Sequence, residues 1–270
     1  MARKCIFITG GASGIGRAVA EKFAAQGWFV GIADINEAGM RETAALLPAG
    51  QSSIHTLDVR DRAAWDVALA DCAQASGGRI DVMFNNAGIP LGGPLANNTV
   101  AEIERCLDIN LKGVLFGAQA AYPYLKAAAP GSALLNTASA AGIHGGANIS
   151  VYGATKFGVR CLTEALDAEW FPDGIKVASL MPSFIDTPLL KHTSGQNSNQ
   201  DIRTQVLEAG LELTSAGDVA EIAWAAVHGD KVHHVIGKTA RRMAFVTRWL
   251  PGAMRKQSRT RLLAAGGDQH

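Results

Sequence analysis

The stretch CIFITGGASGIG, residues 5–16, sets an apolar run directly against a cluster of glycines. Glycine weakens strands and helices alike, so such a cluster marks a place where the backbone approaches something closely or bends as a side chain would forbid. Gly10, Gly14 and Gly16 fall where a first strand, Cys5–Thr9, passes into a first helix, Ile15–Gln26. A helix start offers unpaired N–H groups and the positive end of a dipole, which suits a phosphate. Glycines here, with Ser13 and Ile15 between them, let the backbone approach a pyrophosphate and let the helix pack on the strand. No Gly-Lys-Ser/Thr follows, which disfavours a nucleoside-triphosphate loop.

Next along the chain, a second strand, Phe29–Asp34, ends on a carboxylate 18 residues past Gly16. An acidic group there can accept hydrogen bonds from a ribose 2′-hydroxyl and repels a 2′-phosphate. Its neighbours Ile35 and Asn36 supply no cation to reverse that. Arg17 is open to two readings, a phosphate contact or a solvated helix residue. The balance favours NAD over NADP.

The same rhythm continues outward. Strands are expected at Ser53–Asp58, Ile80–Asn85, Ser132–Thr137, Ile175–Leu180 and His234–Ile236. Helices are expected at Glu37–Leu47, Arg62–Ala75, Val100–Ile109 running on to Lys126, and Val151–Phe171. The strands are continuously apolar, as when both sheet faces are covered. Strand and helix alternating at this spacing predict an α/β fold, a single Rossmann-like doubly wound parallel sheet with helices on both faces. Thr99 to Glu102 and Ser215 to Asp218 resemble capping boxes, and Pro172-Asp173-Gly174 ends a helix. Residues 187–205, with Ser194 to Asn199 inside, are polar and aperiodic and are expected to form a long loop, either functional or disordered.

Composition bounds the class. Hydrophobic residues make up 48% and charged residues 18% of the 270-residue chain, enough for a sizeable core and against disorder. A net charge of +1 gives no whole-molecule argument for nucleic acid. Cys5, Cys72, Cys106 and Cys161 match no zinc spacing, so no metal is expected and the thiols are read as reduced. No signal peptide fits the N-terminus and no run is long enough to span a membrane, so a cytoplasmic protein is expected. The chain is read as one domain, 1–270, whose residues 238–270 form a helical, basic C-terminal extension.

Tyr152 and Lys156 stand four apart on the helix expected after the fifth strand, on one face and one turn apart. A phenol is a poor base at neutral pH; an ammonium beside it favours the phenolate, and the pair can move a proton at an alcohol or carbonyl oxygen. Ser139 follows the strand Ser132–Thr137 at the sheet edge where ligands of such folds bind, 13 residues before Tyr152. With these residues the chain resembles the short-chain dehydrogenase/reductase family over residues 4 to about 237. The motifs are, in order, Thr9 to Gly16, Asp58-Val59, Asn85-Asn86-Ala87-Gly88, Asn110, Ser139, Tyr152 with Lys156, and Pro182 to Thr187.

The resemblance implies roles. Tyr152 would be the general acid/base, Lys156 would lower its pKa and hold the nicotinamide ribose, and Ser139 would bond the substrate oxygen. Asn110 would hold a water linking Lys156 to solvent. Asp58 and Val59 would frame the adenine, and Asn86, Ala87 and Gly88 would line the cofactor, with Asn85 partly structural. Pro182 opens the segment in which Ile185 and Thr187 would meet the carboxamide. Ser183 stands where the family usually has glycine. Substrate contacts are expected from Ser139, Ala141, His144, Tyr152, Phe184 and Leu189, in a pocket of mostly apolar walls suited to a lipophilic secondary alcohol or ketone. The family also implies a homo-oligomer, dimer or tetramer.

The C-terminus departs from the family's usual short ending. Between Lys231 and Gly267 stand nine Lys or Arg and no Asp or Glu, with Met243, Phe245, Val246, Trp249, Leu250 and Met254 as the apolar side. This part reads as one or two helices broken at Pro251-Gly252. A basic amphipathic segment can sit on an anionic membrane surface; the preferred reading is a helix docked over the substrate pocket or a subunit interface. The rival function is a non-catalytic dinucleotide sensor or scaffold, against which the full Asn110, Ser139, Tyr152 and Lys156 set argues. A sugar epimerase or dehydratase would carry a larger segment after the sixth strand.

Overall fold

The computed structural model describes residues 3–191 and 201–266. Seven strands, β1 (Cys5–Thr9), β2 (Phe29–Asp34), β3 (Ser52–Thr56), β4 (Val82–Asn85), β5 (Ser132–Thr137), β6 (Ile175–Pro182) and β7 (His233–Ile236), form one sheet. Their order is β3-β2-β1-β4-β5-β6-β7 and every pairing is parallel. The helices are α1 (Gly14–Ala25), α2 (Glu37–Ala45), α3 (Arg62–Ala75), α4 (Val100–Leu107), α5 (Gly113–Ala128), α6 (Ser150–Trp170), α7 (Ile202–Glu208), α8 (Ala216–His228), α9 (Lys238–Trp249) and α10 (Pro251–Gly266).

The continuous apolar strands are explained by the two cores. Ile6, Ile8, Val30, Ile32, Val82 and Phe84 face one way and pack on α1 and α8 through Val19, Phe23, Val219 and Ala223. The residues between them, Cys5, Phe7, Phe29, Ala33 and Met83, face the other way onto α3, α5 and α6 through Trp65, Leu69, Ala121 and Trp170. Each large apolar side chain so buried contributes about 1.5–3 kcal/mol. Strand order reverses between β1 and β4, which opens a crevice at their carboxyl ends.

Helix starts follow the sequence signals. Asp61 caps α3 by accepting from the backbone N–H groups of Ala63 (2.9 Å) and Ala64 (3.2 Å). Thr99 and Glu102 close a reciprocal box on α4, Ser215 caps α8, and Gly174, at φ +70°, ends the chain run after α6. The four cysteines are free thiols.

Five expectations need correction. The helix expected to run unbroken from Val100 to Lys126 is interrupted by a π-helical turn, Asp108–Lys112, between α4 and α5. Strand β3 stops at Thr56, so Leu57 and Asp58 lie beyond it, at the crevice. Strand β4 starts at Val82, and the preceding Asp81 carboxylate accepts from the Cys5 N–H (2.9 Å) and from Arg79. The stretch expected as one loop over 187–205 holds a 3₁₀ turn, Pro188–Lys191, and the start of α7, whose cap is Asp201. Ser194 to Asn199 lie outside the described residues. The C-terminal break falls at Leu250, and Pro251 opens α10, where its missing N–H costs nothing. Among the described residues no helix is long and apolar enough to cross a membrane.

Candidate active site

The carboxyl ends of β1, β2, β4, β5 and β6 surround a cleft of ≈ 380 Å³. Gly10, Ser13, Gly14 and Ile15 form its floor, and Asp34, Ile35, Asp58 and Val59 flank one end. Asn86, Ala87 and Gly88 line the middle. Ser139, Tyr152 and Lys156 stand beside Pro182, Ile185, Thr187 and Leu189 at the other.

The glycine turn is built by close approach. Gly10 has φ +66° and Gly14 φ +56°, which L side chains rarely adopt. A Cβ on Gly10 would stand 3.0 Å from the Ala87 Cα, and one on Gly16 would stand 2.8 Å from the Gly10 carbonyl carbon. Gly16 therefore lies behind the cleft and seats α1 against the turn. Helix α1, like α6 and α9, has no side-chain cap and no acidic residue in its first turn. Ser13, Gly14 and Ile15 at the start of α1 line the cleft, and the cradle fits a pyrophosphate.

The Asp34 carboxylate is held in place. Its Oδ2 accepts from the Ala12 N–H (3.1 Å) and its Oδ1 from the Asn36 N–H (3.0 Å). Arg17 takes neither of its two readings. Its guanidinium donates to the Ala12 carbonyl (2.7 Å), the Thr43 hydroxyl (3.0 Å) and the Glu42 carboxylate (2.8 Å), tying the turn to α2. Asn36 caps α2 by accepting from the Gly39 N–H (3.1 Å). Arg60 forks onto Asp58 and holds its carboxyl below the usual range.

Behind the cleft lies a polar lattice. Asn86 donates to the Thr9 (3.1 Å) and Gly10 (3.3 Å) carbonyls and accepts from the Thr137 hydroxyl (3.1 Å). Asn85 is buried and donates to Asn136 (3.0 Å) and the Val114 carbonyl (3.2 Å), so its part is structural. Asn110, fully buried in the π turn, accepts from the Ile89 N–H and donates to the Ile89 carbonyl, each at 2.8 Å. That clamp fixes the chain just after Gly88, and a Cβ on Gly88 would lie 3.3 Å from Asn110 Oδ1 and 3.6 Å from Lys156 Nζ. A π turn that widens a helix at such a point is common at functional sites.

Tyr152, Lys156 and Ser139 converge. The Lys156 ammonium donates to the Thr137 carbonyl (2.8 Å) and stands 5.6 Å from the centre of the Tyr152 ring. Burial draws the Lys156 pKa down to about 8. Burial also raises that of Tyr152, and the Ser139 hydroxyl opposes the rise. The expected lowering of the phenol by Lys156 is not found: desolvation dominates, and the amine stands over the ring and is bonded to the Thr137 carbonyl. The Ser139 hydroxyl is turned by accepting from the Ala141 N–H (3.1 Å), and Gly142 lets α6 pass close, since a Cβ there would stand 2.7 Å from the Lys156 carbonyl oxygen.

Ala141, His144 and Phe184, expected as substrate contacts, are not among the residues lining this cleft. Ala141 is buried in the 3₁₀ turn after Ser139, and the Phe184 carbonyl pairs with the Thr214 N–H. Ser183, in the family's glycine position, packs its hydroxyl over Gly237 and toward the Ile236 carbonyl (3.3 Å), while Ile185 and Thr187 still reach the cleft. Unforeseen lining residues include Thr137, Ile89, Pro90 and Arg105. Thr137 was legible as the last residue of β5; Arg105, an ordinary helix cation, carried no such signal.

Glycine turn, switch-point cleft and the Ser, Tyr and Lys side chains together define a dinucleotide-dependent oxidoreductase architecture. The short chain dehydrogenase family model matches residues 4–198, and the chain belongs to that family. It is 36% identical over 199 residues to L-2,3-butanediol dehydrogenase of Corynebacterium glutamicum, covering 72% of this chain and 77% of that one. It is 36% identical over 186 residues to the 3-alpha-(or 20-beta)-hydroxysteroid dehydrogenase of Mycobacterium tuberculosis, covering 69% and 70%. The crystal structure of 3-ketoacyl-(acyl-carrier-protein) reductase from Brucella melitensis, complexed with NADH, superposes with a TM-score of 0.72 at 29% identity over 82% of this chain and 89% of that chain.

Proposed function

We propose that the protein transfers a hydride between NAD(H) and a lipophilic secondary alcohol or ketone. The observation that carries this reading is the single cleft in which Asp34 and the glycine turn stand at one end and Ser139, Tyr152 and Lys156 at the other. A bound nicotinamide would supply or accept the hydride. Tyr152 gives or takes the proton at the substrate oxygen, which Ser139 also bonds. Lys156, anchored on the Thr137 carbonyl, holds positive charge beside the phenol and donates to the ribose, and the Asn110 turn opens its path to solvent. Two relatives whose names denote secondary-alcohol substrates, one a small diol and one a steroid, support the alcohol/ketone reading. The apolar wall of Ile185, Leu189, Leu190 and Pro90 supports a lipophilic one. The experiment is to follow the nicotinamide absorbance with NAD against secondary alcohols and with NADH against aliphatic, alicyclic and aromatic ketones. Turnover with lipophilic members supports the reading, and silence across both panels with NADH bound contradicts it.

NAD is favoured because Asp34 is fixed toward the ribose site, Ile35 is exposed beside it, and Arg17 is bound to Glu42. Asp34→Ala is expected to shift the ratio of kcat/KM for NADP over NAD upward by about tenfold to a hundredfold, as a like-charge contact is removed. An unchanged ratio would show that Asp34 does not choose the cofactor.

The pH dependence follows from the buried amine. Ketone reduction needs the proton on Tyr152 and the charge on Lys156. The phenol keeps its proton above its ordinary value, so the first proton lost on raising the pH is that of Lys156, near 8. The kcat/KM for reduction is therefore expected to hold at neutral pH and fall above about 8. A profile flat well beyond that point would remove the Lys156 charge from the account.

A homo-oligomer, dimer or tetramer, accompanies this reading; the apolar groove of Leu115, Phe116, Leu162, Leu166 and Trp170 between α5 and α6 is the surface that supports it.

A further inference from the structure

Helix α9 has two faces of different character. Ala240 is buried, and Met243 and Ala244 pack against Ile143, Val159 and Met181. The helix expected to dock over the substrate pocket or a subunit interface packs instead beside the turn that follows Ser139, and none of its residues lines the cleft. The docking accounts for that face alone. The outward stripe is Lys238, Arg241, Arg242, Phe245, Arg248 and Trp249, spaced as one side of a helix and exposed at every position. Phe245 is 62% exposed, Trp249 63%, and Leu250, which follows, 55%. The stripe holds cations and large aromatics and nothing else.

The charge of this stripe is unbalanced. Arg17, Lys22, Arg60, Arg62 and Arg160 each meet a carboxylate. Among the described residues none of the four side-chain charges of the stripe is paired with one, although the Lys238 backbone N–H donates to the Glu212 carboxylate (3.0 Å). Exposed Arg255, Lys256 and Arg259 of α10 extend the same charge. Nine of the chain's 25 Lys and Arg lie between Lys231 and Gly267, where there is no Asp or Glu, leaving 16 cations against 24 carboxylates in the rest. The remainder of the molecule is thus repelled by an anionic surface while this corner is drawn to it.

We propose that the α9–α10 corner is a docking surface for an anionic lipid bilayer, with Phe245, Trp249 and Leu250 entering the interface and the arginines meeting the lipid phosphates. The chemistry selects this partner. A symmetric contact with the same face of a second copy would set arginine on arginine. A nucleic acid would satisfy the cations but leave Leu250 and the edges of Phe245 in water. A headgroup layer over hydrocarbon takes both, with the aromatic rings at the level where tryptophan is favoured. The docking is independent of the reaction proposed above.

The test uses the full chain floated with vesicles of phosphatidylcholine alone or of phosphatidylcholine mixed with phosphatidylglycerol. Binding is expected to the anionic vesicles only and to be released by high salt. The variant carrying Arg241→Glu, Arg242→Glu and Arg248→Glu should partition at least about a hundredfold less, at roughly fivefold per cation. Phe245→Ser with Trp249→Ser should lower binding by about tenfold with every charge retained. All substituted residues are exposed, and unchanged thermal unfolding of both variants confirms that the fold is intact. Equal binding to neutral vesicles, binding to neither, or wild-type binding by the charge-reversed variant overturns the proposal. Self-association of the wild type in lipid-free buffer that the charge reversal abolishes would assign the stripe to a second copy. Capture of a single-stranded oligonucleotide in preference to the anionic vesicles would assign it to nucleic acid. Either result also overturns the proposal.

Discussion

Tyr152→Phe is expected to lower kcat for ketone reduction by about 10²–10⁴-fold, the usual contribution of a positioned general acid, with the dissociation constant for NADH changed little. The substitution removes one oxygen and keeps the ring. Because the ring is half-buried and kept whole, its packing against its surroundings and the position of Lys156 5.6 Å from its centre are retained. What is lost is the phenolic proton that the proposed step delivers to the substrate oxygen. Ser139, with its hydroxyl already accepting from Ala141, would still bond that oxygen but not protonate it. Steady-state reduction together with NADH fluorescence separates the two effects. Near-normal kcat in the variant would mean that the proton comes from elsewhere.

Gly16→Ala is expected to produce the second largest effect, through structure rather than chemistry. The new methyl would overlap the Gly10 carbonyl, whose carbon would be 2.8 Å away, with Asn86 Nδ2 at 2.9 Å. Both neighbours belong to the turn or its support, and Asn86 is already bonded to Thr9, Gly10 and Thr137, so neither can yield without moving β1 or β4. Overpacking of this kind costs about 1–3 kcal/mol or more. The displaced turn should also lose at least on the order of tenfold in NADH affinity, because the glycines set the close approach of backbone to pyrophosphate. Thermal unfolding and NADH titration measure the two losses. Gly252→Ala is the control: a Cβ there meets nothing, and it should leave both unchanged. Equal behaviour of the two variants would show that the turn tolerates bulk and that the close approach has no function.

Much of this was legible in the sequence where local chemistry and tertiary structure agree. Strands β1, β2 and β5 and helix α3 lie where their patterns put them, because apolar runs, an Asp61 cap and flanking turns all point the same way. Asp34 and the glycines were readable because a β-α-β unit leaves few places for such residues. Other features depend on distant partners. The π turn at Asp108–Lys112 has helical composition on both sides and is betrayed only by the Asn110 clamp on Ile89. His144 follows Ser139 closely, yet the Ala140–Gly142 turn carries the chain away from the cleft wall. Helix α7 was hidden because Ile202–Glu208 spans only two turns and follows a polar run, though Asp201 caps it by accepting from the Thr204 N–H (2.7 Å). The rise in the Tyr152 pKa depends on how completely the fold buries the phenol, which the four-residue spacing to Lys156 does not record.

The measurement that bears most directly on the account uses NADH carrying deuterium at the transferable position of its nicotinamide ring, with a panel of lipophilic ketones, and mass analysis of the alcohol formed. Hydride transfer in the cleft predicts one deuterium on the carbinol carbon with the wild type and almost no product with Tyr152→Phe. Alcohol lacking deuterium, or NADH bound by the wild type with no ketone reduced, would contradict it.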